Sequence, residues 1–168
     1  MKFFYKTIPF ALSVLLFSGC MTTQPTVPEA QKSTFIVMKT PVFRYADQGF
    51  VYKGAGVTKV EIYSSGIAVM KLEITANKVC NGNGLFSCMS KAEFNKRYLS
   101  ASYPEDTFER IFRGEQIFGG ANRAAKAGGF EQAILKSGVY DIHYSTLNGN
   151  IVFRDTLSHI LIKVRDNG

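Results

Sequence analysis

Gly56-Val-Thr-Lys-Val-Glu-Ile-Tyr-Ser-Ser-Gly-Ile-Ala-Val-Met-Lys-Leu-Glu-Ile-Thr75 decides the fold. Apolar and polar residues alternate on both sides of Ser65-Gly66, the period of a strand with one buried face. A three-residue loop Ser65-Gly66-Ile67, with Gly66 left-handed, sets Thr58 against Ile74, Val60 against Leu72 and Ile62 against Met70. The other face then pairs Lys59 with Glu73 and Glu61 with Lys71, as cross-strand neighbours prefer. A slip of one residue would put Val60 against Lys71, so the register is strongly specified.

Outward from this hairpin, Phe35–Lys39, Pro41–Tyr45 and Phe50–Lys53 read as strands separated by turn residues such as Asp47-Gln48-Gly49. Toward the C-terminus, Val139–Leu147 and Asn150–Asp155 flank Asn148-Gly149, a strong hairpin signal that opposes Tyr144 to Phe153 and Thr146 to Ile151. Ser158–Arg165 is a last strand with Ile160, Ile162 and Val164 on one side.

Between the strand regions, Ser90-Lys91-Ala92-Glu93 is a capping box with Met89 and Phe94 as its staple, and it opens a helix to about Leu99. Ser102-Tyr103-Pro104-Glu105 is a second box. It predicts a helix with Phe108, Ile111 and Phe112 on one side and a stop at Gly114. Gly119–Gly129 reads as a loop, and Phe130–Lys136 fits helix or strand. The expected fold class is α+β: a curved antiparallel sheet, open and half-barrel-like, with two or three short helices on its concave face.

The N-terminus carries a different signal. Lys2 and Lys6 precede a short apolar run, Ile8 to Phe17, and then Ser18, Gly19 and Cys20. This is the layout of a secretory signal, and the run is too short to span a bilayer. Residues 1–19 are therefore expected to be a signal peptide, 20–32 a Cys and flexible tether, and 33–168 one periplasmic domain. Without Lys2 and Lys6 the formal charge falls from +7 to +5, a balance suited to anionic headgroups rather than to nucleic acid. Cys80 and Cys88, an even pair in an exported domain, read as a disulfide.

Chemistry-bearing patterns are weak. Asp141, His143 and Ser145 are the letters of a hydrolase triad, but alternate residues on one strand stand parallel, roughly 6.5 Å apart, and do not converge. His143 and His159 lack metal-ligand spacing with the cysteines. Glu105, Asp106 and Glu109 suit a helix start. No glycine pair is followed by the Lys-Ser/Thr of a phosphate loop. The expectation is a protein that is not an enzyme and has no cofactor or metal. Two apolar pairs, Leu85-Phe86 inside the Cys80–Cys88 loop and Ile117-Phe118 after the second helix, are candidates for contact with a membrane or partner.

Two resemblances follow from these residues. Leu16-Phe17-Ser18-Gly19-Cys20 resembles the lipobox of bacterial lipoproteins, with Phe17 where that class prefers Leu. The resemblance implies acylation of Cys20 and, with Met21 rather than Asp after it, an outer-membrane address facing the periplasm. The order of elements resembles the LolA/LolB-like carriers, as do Tyr103 to Phe118, Gly138-Val-Tyr-Asp-Ile-His-Tyr, Asn148-Gly-Asn-Ile-Val-Phe and Ile160-Leu-Ile-Lys-Val. Those carriers hold lipoprotein or lipid acyl chains against an apolar concave face. In this chain Val60, Ile62, Met70, Leu72, Tyr144, Phe153, Ile160 and Ile162 would line that face. The rival expectation is a non-catalytic structural lipoprotein that scaffolds an envelope assembly. A hollow concave face favours the first and a packed one the second.

Overall fold

The computed structural model describes residues 32–84 and 87–166. Cys20, the signal and nearly all of the tether lie outside the described residues, as do Leu85 and Phe86. The strands are β1 (Lys32–Lys39), β2 (Arg44–Gly54), β3 (Val57–Ser64), β4 (Ile67–Thr75), β5 (Lys78–Asn81) and β6 (Cys88–Ser90). Helices α1 (Lys91–Tyr98) and α2 (Thr107–Arg113) and a single 3-10 turn at Phe118–Gly120 follow. The chain then returns to strands β7 (Arg123–Lys126), β8 (Gly129–Lys136), β9 (Tyr140–Leu147), β10 (Asn150–Asp155) and β11 (Ile160–Asp166).

All eleven strands form one antiparallel sheet in the order β6-β5-β4-β3-β2-β1-β11-β10-β9-β8-β7. The sheet is open. Its free edges are β6 and β7, and the segment joining them carries both helices. The first and last described strands, β1 and β11, pair at its centre.

The decisive hairpin has the expected register: Thr58 opposes Ile74, Val60 opposes Leu72, and Ile62 opposes Met70. Its turn is shorter than expected. Ser65 and Gly66 alone make it, with φ of 50° and 81°, the two positive values of a type I′ turn. The extra residue is instead a bulge, where the register shifts between Ile62 and Tyr63 and leaves Val69 unpaired. Asn148-Gly149 makes a second such turn, with Tyr144 opposite Phe153 and Thr146 opposite Ile151.

Three expectations are corrected. Pro41–Tyr45 and Phe50–Lys53 are not separate strands. Residues 40–43 are a turn in which the Thr40 hydroxyl accepts the N–H groups of Val42 (3.1 Å) and Phe43 (2.9 Å), and β2 runs unbroken through Asp47-Gln48-Gly49. The box at Ser102 does not cap a helix. Asp106 is the N-cap of α2, and the preceding turn is held by the Asn95 side chain donating to the Pro104 carbonyl at 2.8 Å. Gly119–Gly129 is no simple loop, because Arg123–Lys126 pairs with Gly129–Gln132 as a hairpin.

Local chemistry sets both helix ends. The Ser90 hydroxyl accepts the Glu93 N–H at 3.1 Å, the N-cap bond expected of the first box. Gly114, at φ 70°, ends α2 in the left-handed conformation.

The helices cover one face, and the sheet bends around them. Glu109 of α2 meets Thr58 of β3 at 3.4 Å, while Gly114 lies against Ile151 of β10. Those strands are four intervals apart, about 19 Å on a flat sheet and nearly twice a helix diameter. Contact with both requires curvature, with α2 on the concave side.

The two rims of the sheet differ. One carries the β2–β3, β4–β5, β7–β8 and β9–β10 turns, made of Ala55-Gly56, Ala76-Asn77, Ala127-Gly128 and Asn148-Gly149. The other carries the β1–β2, β3–β4, β8–β9 and β10–β11 turns and the β5–β6 connection.

Candidate functional site

The eight residues expected to line an apolar face do share one face of the sheet. Val60 and Ile62 (β3) oppose Leu72 and Met70 (β4), and Phe153 (β10) lies between Tyr144 (β9) and Ile162 (β11). Ile36, Met38 and Val51 fill the strands between the two groups. None of the eight is more than 2 % exposed. A side chain with no accessible surface borders no void that water could enter. The concave face is therefore packed in this conformation. Phe94 of α1 and Phe108, Ile111 and Phe112 of α2 occupy the space above it. Phe94 contacts Phe108 with ring centroids 4.7 Å apart, and Tyr98 stacks on Phe43 at 4.7 Å.

Polar contacts fasten this cover. Lys91 and Glu109 form an ion pair at 2.6 Å with side chains 8 % and 16 % exposed, joining α1 to α2. Arg113 donates to the Gly54 carbonyl (3.3 Å) and the Thr58 hydroxyl (3.1 Å), and Lys53 donates to the Arg113 carbonyl (3.0 Å). On the far side the Tyr144 hydroxyl donates to the Glu115 carbonyl at 2.9 Å. Burial pushes the Tyr144 phenol well above its ordinary value, so it stays a donor.

Ile117 and Phe118 are not a protruding contact. Ile117 is fully buried. Gln132, itself buried, accepts the Ile117 N–H at 2.9 Å and donates to the carbonyls of Ile117 (3.0 Å) and Ala121 (2.8 Å). Phe118 packs edge-on against Tyr103 and Tyr140 at 5.9 and 5.2 Å. A polar residue in an inward position of β8 was the only sequence sign of this clamp, because Gln132 stands between Phe130 and Ile134.

Cys80 and Cys88 are bonded (S–S 2.03 Å) and directly opposed on β5 and β6. Gly82 and Asn83, just after β5, lie beside β4, where the Gly82 N–H donates to the Lys71 carbonyl at 3.0 Å and the Asn83 side chain to the Ala68 carbonyl at 2.7 Å.

Asp141, His143 and Ser145 lie on the outward face. Asp141 approaches His143 at 3.6 Å and accepts a bond from the Thr156 hydroxyl at 2.7 Å. His143 stands opposite Arg154. His143 and Ser145, but not Asp141, border a shallow hollow of about 370 Å³, lined also by Asn122, Lys126 and Glu131. Lys126 and Glu131 are paired there at 3.2 Å.

Of the acidic cluster, Asp106 pairs with Arg110 at 2.5 Å, and Glu109 serves Lys91. Among the described residues no group of three His, Cys, Asp or Glu is placed to hold a metal. None of the described helices is long and apolar enough to cross a membrane.

No protein-family model matches the chain, and no curated protein matches its sequence.

Proposed function

We propose that this chain is an outer-membrane-anchored lipoprotein of the carrier or receptor type, taking lipoprotein or lipid acyl chains onto the concave face of its open sheet. The observation that carries the reading is how that face is covered. Among the described residues no second sheet closes it. The cover is one inserted segment, residues 91–122, running between the two free edges of the sheet. Swinging it aside unpairs no strand and uncovers Val60, Ile62, Met70, Leu72, Tyr144, Phe153, Ile160 and Ile162. Because Phe94, Phe108, Ile111 and Phe112 fill the space, uptake must displace them, and acyl chains would replace one apolar contact by another.

A second reading, a non-catalytic scaffold of an envelope assembly, is favoured by the packing itself, since a filled face needs no ligand. Native mass spectrometry of residues 21–168 from a bacterial periplasm, with titration by a fluorescent fatty acid, separates the two. The carrier should retain or take up an acyl chain, and amide exchange in 91–113 should quicken on uptake. A clean protein mass with no uptake would discard the carrier and leave the scaffold. Incorporation of labelled palmitate, lost in Cys20→Ser, tests the anchor independently.

A further inference from the structure

The two rims of the sheet differ in a way that neither packing nor the concave site requires. Among the described residues four large apolar side chains stand out as exposed: Val42 (56 %), Ile67 (71 %), Leu135 (71 %) and Leu157 (49 %). All four lie at the same rim, in or beside its β1–β2, β3–β4, β8–β9 and β10–β11 turns. The turns of the opposite rim carry only Ala, Gly and Asn. Val42 and Leu157 are closest in register. Lys39 opposes Leu161, so the β1–β2 and β10–β11 turns lie side by side.

Cations stand beside three of these tips, Val42, Leu157 and Leu135. On the outward face, Arg44 pairs with Lys39, Lys39 with Leu161, Leu161 with Arg154 and Arg154 with His143. This row crosses five strands, about 19 Å. Lys163 and Arg165 stand behind it, and exposed Lys136 follows Leu135. The outward positions of β2, β1, β11 and β10 hold five cations (Arg44, Lys39, Lys163, Arg165, Arg154) and no carboxylate. The acids nearest the rim are Asp155, 1 % exposed and turned inward beneath the β10–β11 turn, Asp141, bonded to Thr156, and Asp47 on the inward side of β2.

We propose that this rim docks the domain onto an anionic lipid bilayer. Val42, Ile67, Leu135 and Leu157 would enter the interface, and Lys39, Arg44, Lys136 and Arg154 would meet lipid phosphates. Apolar tips beside long cationic side chains match the depth profile of such a surface, apolar below and anionic above. The hollow beside His143 and Arg154 is shallow and stops short of Lys39 and Arg44, so the row offers little to an extended peptide. The choice of a bilayer rests on the lipid-anchor reading, but not on the carrier reading. Chain length permits it: β1 enters the sheet at the opposite rim, roughly 23 Å away over eight residues. The twelve residues 21–32 reach about 40 Å at most, so a lipidated Cys20 and this rim can share one membrane.

The test is co-sedimentation of residues 21–168, without the anchor, with phosphatidylcholine vesicles lacking or containing about one third phosphatidylglycerol. The whole described core lies within residues 34–164, so this segment carries all of it. Binding should require the anionic lipid and weaken in high salt. It should fall by more than about tenfold in Lys39→Glu/Arg154→Glu, and also in Val42→Asp/Leu157→Asp. All four positions sit away from the packed face, and circular dichroism checks that each variant is folded. Lys96→Glu, exposed on α1, should bind as the parent does. No binding to anionic vesicles, or equal binding by folded charge-reversed and parent proteins, would overturn the proposal. Fatty-acid uptake measured on the same variants reports the carrier reading separately.

Discussion

Asp155, 1 % exposed at the end of β10, holds together more of the chain than any residue near it. Its carboxylate accepts the Tyr103 hydroxyl, the backbone N–H groups of Asp141 and Leu157 (3.0 Å each) and that of Ser158 (3.3 Å). Burial alone would raise its pKa, but these donors outweigh burial and hold it below the ordinary carboxylate value. A depressed folded pKa stabilises the fold above the unfolded value near 4, and that contribution is lost as pH falls through the folded value. Asp155→Asn should therefore cost about 1.5–3 kcal/mol near neutrality. The gap from the parent in urea midpoints should close between pH 5 and 2, and a gap that stays constant would remove the charge from the explanation. The Lys91–Glu109 pair behaves differently. Glu109→Ala strands a buried ammonium and should cost about 3–5 kcal/mol, whereas Lys91→Met with Glu109→Leu should recover most of it. A double variant no more stable in urea than Glu109→Ala would contradict this. Neither Asp155 nor this pair was visible in the sequence. The Asp155 bonds to Leu157 and Ser158 are local, but its ties to Tyr103 and Asp141, like the Lys91–Glu109 pair, join residues far apart along the chain, and local patterns carry no sign of such partners. Ser90 and the cysteine pair were legible because their partners lie three and eight residues away.

Among the elements, hairpins were the easiest to read and breakers the hardest. The alternation in β3 and β4 fixed the register even though the turn was one residue shorter than expected. A bulge and a longer loop absorb the extra residue equally well, and sequence does not separate them. Gly49 misled because glycine usually punctuates. Here it is required within β2 by crowding: a Cβ would lie 2.3 Å from the Glu61 carbonyl oxygen and 2.7 Å from Ile36 Cδ1. Gly49→Ala should accordingly destabilise by roughly 1–3 kcal/mol. Gly56→Ala, where nothing lies within 4 Å of the new methyl, should cost less despite its φ of 71°. Thermal melts of the two compare close packing with turn strain, and equal losses would deny the close approach. The second helix began later than the Ser102 box suggested because the Asn95 side chain takes the Pro104 carbonyl and holds that turn apart. The concave apolar set was legible from period alone. That it would be packed was not, since filling depends on where the helices settle.

For the whole molecule, the sheet is an open, curved row of strands with free edges β6 and β7, and the segment between those edges carries the helices. Stability should follow that layout. Amide exchange should be slowest in β1 and β11, each paired on both sides, and faster in 91–122 and in the fully exposed edge strand β7. Protection of the helices equal to that of β1 would mean the cover opens only with global unfolding, and would count against displacement by a ligand. The central pairing of β1 with β11 also governs how the fold is reached. Thr34 meets Asp166 across nearly the whole described chain, so the middle of the sheet is its most non-local contact, and loop-closure entropy must be met before that contact returns anything. Until β11 arrives, β1 has β2 on one side and a bare row of amides and carbonyls on the other. A chain still emerging from a ribosome thus cannot finish its sheet early. Strand β11 works as a timing device, holding the sheet unfinished, and exposed to mispairing, until synthesis of that segment is over.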